Sequence, residues 1–443
     1  MPRPDIAALT ATEAAAEIAR GLLSAEELTR ACLERIAAAE GEVQAFVHLD
    51  PEHALQQARA LDRHKGEGRP IGALHGIPVA IKDIFDTEDY PTECGSPILA
   101  GRKPDADATA VRKLRDAGAV IIGKTVTTEF AYFHPGKTRN PRNPNHTPGG
   151  SSSGSAAAVA AGMVPLAIGS QTNGSVIRPG AFCGVFAVKP SHGLISRAGA
   201  LTLSRTLDHV GAFARSLEDL ALILDVLAGH DPADPDTRPY AAPNFRAAIG
   251  QPPPLPPSFA FVRTPVWEKA DAEARGALEE LAKEVDAREV DLPPDFKAAW
   301  EAHRAIMAAD MAFNLGALLD KGGEASKAFR DLIAEGRKVT ATQYLAAVRD
   351  ARRYADGIAW IFEQIADAII TLSAPGAAPQ GLGATGNPAF CTFWTLTGLP
   401  ALNLPLIDSA AGLPIGVQLI GAPRHDEKLL RTGRALMGRL AEA

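Results

Sequence analysis

Apolar and polar positions near the start of the chain follow a helical period. Residues 12–20 and 24–40 are rich in alanine, and the second segment opens with Ser-Ala-Glu-Glu, a capping box in which Ser and Glu side chains satisfy backbone N–H groups. Leu28, Cys32 and Ile36 then share one helical face. Two helices are predicted, and the apolar face of the second could pack on the body of the protein or on a second subunit.

Short apolar runs of strand length alternate with helical segments through most of the remaining chain. Helices are predicted at 107–117, 154–162, 217–228 and across most of 296–366. Strands are predicted at 78–82, 119–122, 164–168, 259–262, 368–371 and 416–420. Strands interleaved with helices are typical of an α/β protein, so we expect an α/β fold with a largely central, buried sheet.

A proline-rich stretch at 230–258 interrupts this alternation. Proline lacks a backbone donor and breaks both helix and sheet ladders, so the stretch is predicted to be a connection over the surface. It could separate two domains, but strand-like segments resume after it. We therefore interpret it as a crossing within a single domain that covers residues 1–443.

Composition and charge narrow the function classes without changing this fold. The 443 residues are 46% hydrophobic and 22% charged, as in a soluble globular protein, and the net charge of −7 gives no electrostatic reason to expect nucleic acid or an anionic membrane as a partner. The start of the chain lacks the apolar segment of a signal peptide, and no apolar run is long enough to span a membrane. The four cysteines are far apart, which is typical of reduced core thiols, so a cytoplasmic location is expected.

The sequence has no metal-binding or nucleotide-binding motif. Its eleven histidines form neither His-x-His nor His-Glu-x-x-His, Cys-x-x-Cys is absent, and residues 149–155 do not form a GxxxxGK[ST] phosphate loop. Five of the histidines are interpreted as loop or core residues: His75, His134, His146, His192 and His209. We therefore expect neither a metal nor a cofactor.

Residues 149–179 carry the strongest chemical signal. Gly-Gly-Ser-Ser-Ser-Gly-Ser-Ala and Gln-Thr-Asn-Gly-Ser-Val-Ile-Arg-Pro stand at the two ends, and the segment between them is too apolar for a flexible Ser/Gly linker. Residues 150–154 also fit Gly-x-Ser-x-Gly with Ser152 at the centre. That motif has meaning on a strand-to-helix turn, whereas a loop rich in Pro and Asn precedes it here, so a nucleophile elbow is disfavoured.

Serine hydroxyls and a lysine are the groups left for catalysis. A serine needs a base to take its proton, and a lysine can be that base if its pKa falls from about 10.4 to about 7, a change of about 4.6 kcal/mol in its environment. Lys82 ends an apolar strand, at the edge where α/β sites lie, although a lysine that reaches solvent from a strand end is the commoner case. The turn before Ser175 can offer successive N–H groups to an oxyanion. These residues indicate a serine acyl-transfer enzyme.

Three motifs taken together resemble the amidase signature family. They are Gly-Ile-Pro-Val-Ala-Ile-Lys-Asp at 76–83, the serine-glycine motif at 149–156 and Gly-Ser-Val-Ile-Arg-Pro at 174–179. Members of this family are amide hydrolases with a Ser–cis-Ser–Lys triad, and the resemblance implies a single large α/β/α domain with a central mixed, largely buried sheet covered by helices on both faces. The resemblance implies that Ser175 is the nucleophile, that Ser151 is the bridging serine after a cis bond to Gly150, and that Lys82 is the base.

The resemblance also implies roles for neighbouring residues. The oxyanion hole would consist of the backbone N–H groups of Thr172, Asn173, Gly174 and Ser175, and Ser153 would orient Lys82 or Ser151. The family often has Asp-x-Gly-Gly-Ser before the nucleophile, so Gln171 and Asn173 are departures, and the Asn173 side chain would narrow the pocket or contact substrate. The candidates for substrate binding are Tyr132, Phe133, Arg139, Gly149, Arg178 and Asn387. Arg178 would either bind a substrate carboxylate or hold its own loop.

The same resemblance divides the predicted domain into parts. The N-terminal helices cover 1–65, the catalytic signature core covers 70–228, the proline-rich connection covers 230–258, and the helical region at 296–366 shapes the pocket entrance. The resemblance resumes at 398–403 and 412–421 and is thin between 260 and 370.

The function expected from this resemblance is hydrolysis of a small amide by a cytoplasmic homodimer, with release of ammonia or an amine. Residues 131–139 and 371–379 are most similar to the branch of the family that handles malonamide-type and biuret-type substrates. The alternative within the family is the amidotransferase subunit that feeds ammonia to a tRNA-charging complex, which the acidic net charge does not favour. A non-catalytic binding protein on the same fold is the alternative of another class, and the intact set of Lys82, Ser151 and Ser175 argues against it.

Overall fold

The computed structural model describes residues 5–320, 322 and 324–442. Residues 1–4, on which part of the expectation about a signal peptide depends, lie outside the described residues. Over the part of the chain that is described, no helix combines the length and the apolar character needed to cross a membrane.

A single mixed sheet forms the centre of the molecule. Its strands are β1 Phe46–Leu49, β2 Pro78–Lys82, β3 Val120–Thr125, β4 Leu166–Gln171, β5 Phe186–Lys189, β6 His209–Ala214, β7 Phe259–Val262, β8 Arg288–Val290, β9 Ala368–Leu372, β10 Ala401–Asp408 and β11 Pro414–Ile420. Their spatial order is β1-β3-β2-β4-β6-β5-β10-β11-β9-β7-β8. Strands β3, β2 and β4 are parallel to one another, as are β9, β7 and β8, and the remaining pairs are antiparallel.

Helices flank this sheet. They are α1 Ala11–Arg20, α2 Ala25–Val43, α3 Pro51–Gly66, α4 Thr109–Asp116, α5 Ser153–Ala160, α6 Ile177–Cys183, α7 Leu217–Leu227, α8 Phe245–Ile249, α9 Ala272–Glu284, α10 Ala299–Asp320, α11 Lys327–Gly336, α12 Ala341–Gln364, α13 Ala389–Leu396 and α14 Asp426–Glu442. Helices α5 and α6 pack together and against the central strands, whereas α7, α8 and α14 form a second packed group on the sheet. The predicted α/β domain with a large mixed sheet is therefore confirmed.

The apolar face of α2 packs on the body of its own chain. Leu28, Cys32 and Ile36 are buried there, and α2 contacts α3 and β2. The predicted capping box is present, with the hydroxyl of Ser24 accepting from the N–H of Glu27. This face is therefore covered without a second subunit.

The proline-rich stretch at 230–258 differs in part from the predicted surface connection. It contains α8, whose Phe245 and Ile249 are buried where the helix meets α7 and α14. Burial of these two apolar side chains is favourable, so a short helix that packs on the rest of the protein forms within the proline-rich stretch. The limits of the predicted parts of the domain stay predictions.

The region predicted as helical at 296–366 forms α10, α11 and α12, which pack against one another. Helix α10 also packs on α13, brings His303 to the carbonyl of Thr172, and brings Met307 to a cavity that Ser151 and Ser175 line.

Candidate active site

Strand β2 delivers Lys82 to the centre of the site. The strand is buried along its whole length, and Lys82 itself has no exposed surface. Its Nζ lies 2.7 Å from Oγ of Ser151, 2.8 Å from Oγ of Ser170 and 3.5 Å from the carbonyl oxygen of Ser170. The amine is thus surrounded by serine oxygens and does not reach solvent.

The environment of Lys82 favours its neutral form. Burial holds the pKa of Lys82 well below its usual range, and the charges of Asp208 and Cys94 oppose this shift only in part. A neutral amine has one lone pair and two N–H groups. The hydroxyl of Ser151 can donate to that lone pair while the two N–H groups point to the two oxygens of Ser170.

Ser151 sits on a loop whose backbone is held at several points. The peptide bond between Gly150 and Ser151 is cis. The carbonyl of Ser151 accepts from the N–H of Thr128, and the carbonyl of Gly150 accepts from the Arg178 guanidinium at 2.6 Å. Ser152, the centre of the disfavoured elbow motif, is fully buried, and its hydroxyl bonds to the carbonyl of Ser170.

Ser153 does not take the supporting position that the resemblance implied. Its hydroxyl donates to the carbonyl of Val126, at the first residue of α5. The helix start turns Ser153 toward β3, and Ser170 at the end of β4 faces Lys82 instead. Ser170 is therefore the serine that, together with Ser151, orients the amine.

The turn from Thr172 to Ser175 has the free donors that an oxyanion hole requires. Within the described chain, the backbone N–H groups of Asn173, Gly174 and Ser175 form no hydrogen bond. The side chain of Gln171 braces the turn, because its Oε1 accepts from the N–H groups of Val176 and Ile177. The N–H groups of Val176 and Ile177 are thus hydrogen-bonded, whereas those of Asn173, Gly174 and Ser175 stay free within the described chain.

The side chain of Asn173, the departure at the oxyanion turn, bonds to helix α13. Its Oδ1 accepts from the hydroxyl of Thr392 at 2.7 Å, and its carbonyl accepts from the hydroxyl of Thr395 at 2.5 Å. Asn173 also lines the small cavity beside Ser175. The side chain therefore ties the turn to α13.

Thr172 is held from two directions. Its hydroxyl donates to Asp208 at 2.6 Å, and its carbonyl accepts from Nε2 of His303 at 2.9 Å. Burial lowers the pKa of His303 to about 4, so this imidazole is neutral and Nε2 carries its proton. Burial raises the pKa of Asp208 to about 6, against the hydrogen bonds from Thr172 and from the N–H groups of Ser204 and Leu203.

A small cavity is lined by both Ser151 and Ser175. Its free volume is about 20 Å³, and the lining residues are Ala131, Tyr132, Phe133, Ser151, Thr172, Asn173, Ser175, Arg178, Leu203 and Met307. That volume is room for about one water. A larger cavity of about 650 Å³ shares Thr172 and Leu203 with it and reaches Ser170, Asp208 and α10.

Arg178 holds its neighbouring loop, one of the two roles between which its sequence position left a choice, and two of its nitrogens have no partner among the described residues. One guanidinium nitrogen, Nη2, donates to Gly150 and to the hydroxyl of Thr385, so the side chain holds the loop of Ser151. Nε and Nη1 are buried without a partner in the described structure, and the residue lines the small cavity. Burial lowers the pKa of Arg178 to about 10, so the group remains charged near neutral pH.

Of the other substrate-binding candidates, only Tyr132 and Phe133 line the cavity. Tyr132 accepts from Arg304 through its hydroxyl, and the Arg178 guanidinium lies over the Phe133 ring at 5.8 Å. Three candidates stand elsewhere: Arg139 donates to the carbonyl of Pro144, Asn387 is exposed and accepts from the N–H of Ala389, and Gly149 packs on Pro179 with a φ of 82°. Arg139 and Asn387 thus contact backbone groups close to them in the chain, Gly149 contacts α6, and none of the three lines this cavity.

Three residues of the site were not predicted: Ser170, Asp208 and His303. Ser170 had a usable signal, because it is a polar residue at the carboxyl end of an apolar strand that pairs in parallel with β2. His303 and Asp208 reach Thr172 from 131 and 36 residues away, and no local pattern marks them. No group of three or more His, Cys, Asp or Glu side chains in residues 5–320, 322 and 324–442 is placed to hold a metal ion.

Comparison with known proteins decides the family. Residues 27–430 match the family described as Amidase. The chain is a member of the amidase family. It is 37% identical to a glutamyl-tRNA(Gln) amidotransferase subunit from Chloroflexus aurantiacus, with 96% of each chain covered.

Solved structures share the fold over nearly the whole length. One belongs to a vestigial protein complex connected with the evolutionary origins of an s-triazine catabolic enzyme, with a TM-score of 0.90, 31% identity and coverage of 97% of this chain and 98% of the other. Another is the peptide amidase of Stenotrophomonas maltophilia, with a TM-score of 0.85, 31% identity and coverage of 98% and 97%. The chain is therefore an amide-hydrolysing enzyme of the amidase signature family.

The predicted partners are wrong. A homodimer that acts on a free small amide, with no nucleic acid in its setting, was expected from the net charge and the resemblance. The curated amidase relatives are instead named as subunits of an amidotransferase for glutamyl-tRNA(Gln). Net charge was a poor guide here because it averages over the chain and does not describe any single surface.

Proposed function

We propose that this amidase hydrolyses an amide through an acyl-enzyme at Ser175, as the ammonia-supplying subunit of an amidotransferase of the glutamyl-tRNA(Gln) type. The observation that carries the chemistry is the 2.7 Å contact between Lys82 and Ser151 beside a turn with free N–H groups. The names of the curated relatives support the setting in a complex better than hydrolysis of a free small amide.

The proposed proton relay follows from the contacts around Lys82. The neutral amine takes the proton of Ser151, Ser151 takes the proton of Ser175, and Ser175 Oγ attacks the amide carbonyl. The proton returns through Ser151 to the leaving nitrogen when the C–N bond breaks. Water then hydrolyses the acyl-enzyme by the same relay.

The oxyanion hole is proposed at the N–H groups of the turn from Thr172 to Ser175. Negative charge develops on the carbonyl oxygen during the attack, and fixed donors in a buried site stabilise it without reorganisation. The free state of three of these N–H groups and the brace from Gln171 support this role.

The substrate is proposed to be an amide that carries a carboxylate, such as glutamine. Arg178 has two unpartnered N–H-bearing nitrogens beside the cavity of Ser175 and keeps its charge near neutral pH. A buried guanidinium without partners for these nitrogens is costly, and a substrate carboxylate would satisfy both.

The small size of the cavity also supports a partner-dependent enzyme. The free volume beside Ser175, about 20 Å³, is smaller than glutamine, so we propose that Leu203, Met307 or Tyr132 moves when a substrate enters. Contact with another subunit is one way to stabilise the open form. The cytoplasmic location remains a prediction.

The test is ammonia release from glutamine by the purified chain alone and with the other subunits of a glutamyl-tRNA(Gln) amidotransferase. Release that needs those subunits supports the proposal. Release from malonamide-type or biuret-type amides by the chain alone, with none from glutamine under either condition, would support the second candidate, a free small-amide hydrolase. The free small-amide hydrolase is kept as a second candidate because the chain also resembles a solved peptide amidase, which is not named as an amidotransferase subunit.

A further inference from the structure

The carboxylate of Asp208 joins the oxyanion turn to the loop that precedes β6. Oδ1 accepts from the hydroxyl of Thr172 at 2.6 Å, and Oδ2 accepts from the N–H groups of Leu203 and Ser204 at 2.9 and 3.0 Å. We propose that Asp208 is a positioning residue of the amidase reaction, which holds Thr172 and thereby fixes the direction of the N–H groups that face the oxyanion. The inference rests on the proposed function of the turn.

An oxyanion turn cannot be held by its own N–H groups, because these must stay free for the substrate. The shape of the turn must therefore come from side chains and carbonyl groups around it. Thr172 begins the turn, and its side chain and carbonyl are bonded to two different segments, to Asp208 and to His303, whereas those of Asn173 are both bonded to α13. Loss of either contact would let the first peptide of the turn rotate.

A carboxylate suits this position for a chemical reason. It accepts hydrogen bonds and has no donor when ionised, so it cannot compete with the turn for the negative oxygen of the substrate. Asp208 forms no ion pair within the described residues, and its three donors are a hydroxyl and two backbone N–H groups. Its hydrogen bonds are thus directed at Thr172 and at the loop, while its charge also acts on Lys82 and Arg197.

The loop held by Asp208 is itself part of the substrate region. Leu203 lines the small cavity beside Ser175 and also the larger cavity of about 650 Å³. Asp208 therefore couples the wall of the cavity to the turn that is proposed to stabilise the transition state. A purely structural carboxylate would have no such connection.

Asp219 provides a matched control elsewhere in the fold. Its carboxylate is buried and accepts from the hydroxyl of Thr12 and from the N–H groups of Ala11 and Thr12, the same set of donors that Asp208 has. It sits in α7 and bonds to α1, away from the serines. Asp208→Ala and Asp219→Ala therefore remove equivalent hydrogen bonds at two places.

The experiment measures covalent labelling of Ser175 by a fluorophosphonate, together with kcat and KM for amide hydrolysis. In the labelling step Ser175 Oγ bonds to phosphorus and fluoride leaves, and the phosphoryl oxygen occupies the position of the oxyanion. Asp208→Ala is expected to slow labelling and lower kcat by about 10- to 100-fold with little change in KM, because removal of a whole oxyanion donor costs about 100- to 1000-fold. Asp219→Ala is expected to lower the melting temperature without slowing labelling.

Thr172→Val keeps the test decisive if Asp208→Ala does not fold. Valine retains the shape and the backbone N–H of Thr172 and removes only the hydrogen bond to Asp208, so it should reproduce most of the loss in kcat. Labelling by Thr172→Val at the wild-type rate, or a loss in Asp208→Ala no larger than in Asp219→Ala, would overturn the inference alone. Failure of the wild-type chain to label at Ser175 would overturn the proposed function and the inference with it.

Discussion

The amine of Lys82 lies 2.7 Å from the hydroxyl oxygen of Ser151, and both side chains are buried. This contact links strand β2 to the loop of the cis peptide bond, and it is the contact through which the proposed relay would take the proton of Ser151. Ser175 lines the same small cavity as Ser151. The proposed relay passes the proton between these two serines across that cavity.

Loss of any member of this path should nearly abolish amide hydrolysis. Ser175→Ala, Ser151→Ala and Lys82→Ala are each expected to lower kcat by about 10²- to 10⁴-fold or more, since a general base alone contributes a factor of this size. The effects should not add in double variants, because the groups act as one unit. Ammonia release measures the rates, and a near-wild-type rate in any single variant would remove that residue from the mechanism.

The pH dependence of kcat should report the depressed pKa of Lys82. Burial disfavours the ammonium form, so the active neutral amine is present at pH values well below 10.5. The rate is expected to rise with pH through the Lys82 pKa and then to level off. Lys82→Arg is the control, because arginine keeps the cation and cannot lose its proton in this range. A wild-type rate that rises only near pH 10.5 would contradict the relay.

The same pKa shift makes Lys82 a cost to folding. The unfolded chain binds a proton on Lys82 up to about pH 10.4, whereas the folded chain releases it at a lower pH, so stability rises with pH between these two values. Lys82→Met should therefore raise the melting temperature at neutral pH while it abolishes activity. The gain should shrink toward pH 10.4, and thermal melts of the two proteins across this window measure it. A gain that does not change with pH would show that packing, and not charge, is its source.

The sequence predicted the parts of the site that lie in continuous motifs. Lys82, Ser151 and Ser175 each follow from a local run of residues that resembles one family. Ser170 could have been inferred from the parallel pairing of β2 with β4, because the two strands end at the same edge. His303 approaches Thr172 from α10, and only the packing of helices 131 residues further along the chain brings it there.

Short and interrupted strands limited the prediction of the fold. Strand β8 has three residues, and β10 contains Pro405 and a register shift between Leu404 and Ile407, so neither gives a clear strand pattern. Arg139 and Asn387 were candidates for the pocket on the basis of the family resemblance. Their positions serve loop carbonyls and a helix start, which sequence patterns do not separate from ligand binding.

Arg178 should control the preference for substrates with a carboxylate. Arg178→Gln removes the charge, and the ratio of kcat/KM for glutamine to that for pentanamide is expected to fall about 10- to 100-fold, the usual value of a hydrogen bond to a charged group. Arg178→Lys keeps a charge with fewer donors, so its ratio should lie between that of the wild type and that of Arg178→Gln. The ratio corrects for damage to the loop of Gly150, which Arg178 also holds. Equal losses for both amides would assign Arg178 a structural role only.

The two threonines of α13 should differ in their effect on the oxyanion turn. Thr392 bonds to the side chain of Asn173, and Thr395 bonds to its backbone carbonyl. Thr395→Val is expected to lower kcat by about tenfold or more, because the peptide that precedes Gly174 loses its support and Nε2 of Gln171, which donates to the same hydroxyl, loses its partner. Thr392→Val and Asn173→Ala should each change kcat by less than about threefold and should not add in the double variant, since they remove the same bond.

Fluorophosphonate labelling of Ser175 should be measured together with kcat for Thr395→Val, Thr392→Val, Asn173→Ala and the double variant. These measurements show which contact keeps the turn in place when Asn173 stands where the family often has glycine. If the backbone contact carries the turn, Asn173→Gly, which restores the residue common in the family, should also leave labelling within about threefold of wild type, since the bond from Thr395 to the carbonyl remains. A loss in Thr392→Val as large as in Thr395→Val would mean that the Asn173 side chain itself sets the turn. Thr392 and Thr395 lie on one helix, and both donate through a hydroxyl. A general weakening of α13 would therefore lower the labelling rate and kcat of the two variants alike, and it would be visible as equal shifts in melting temperature.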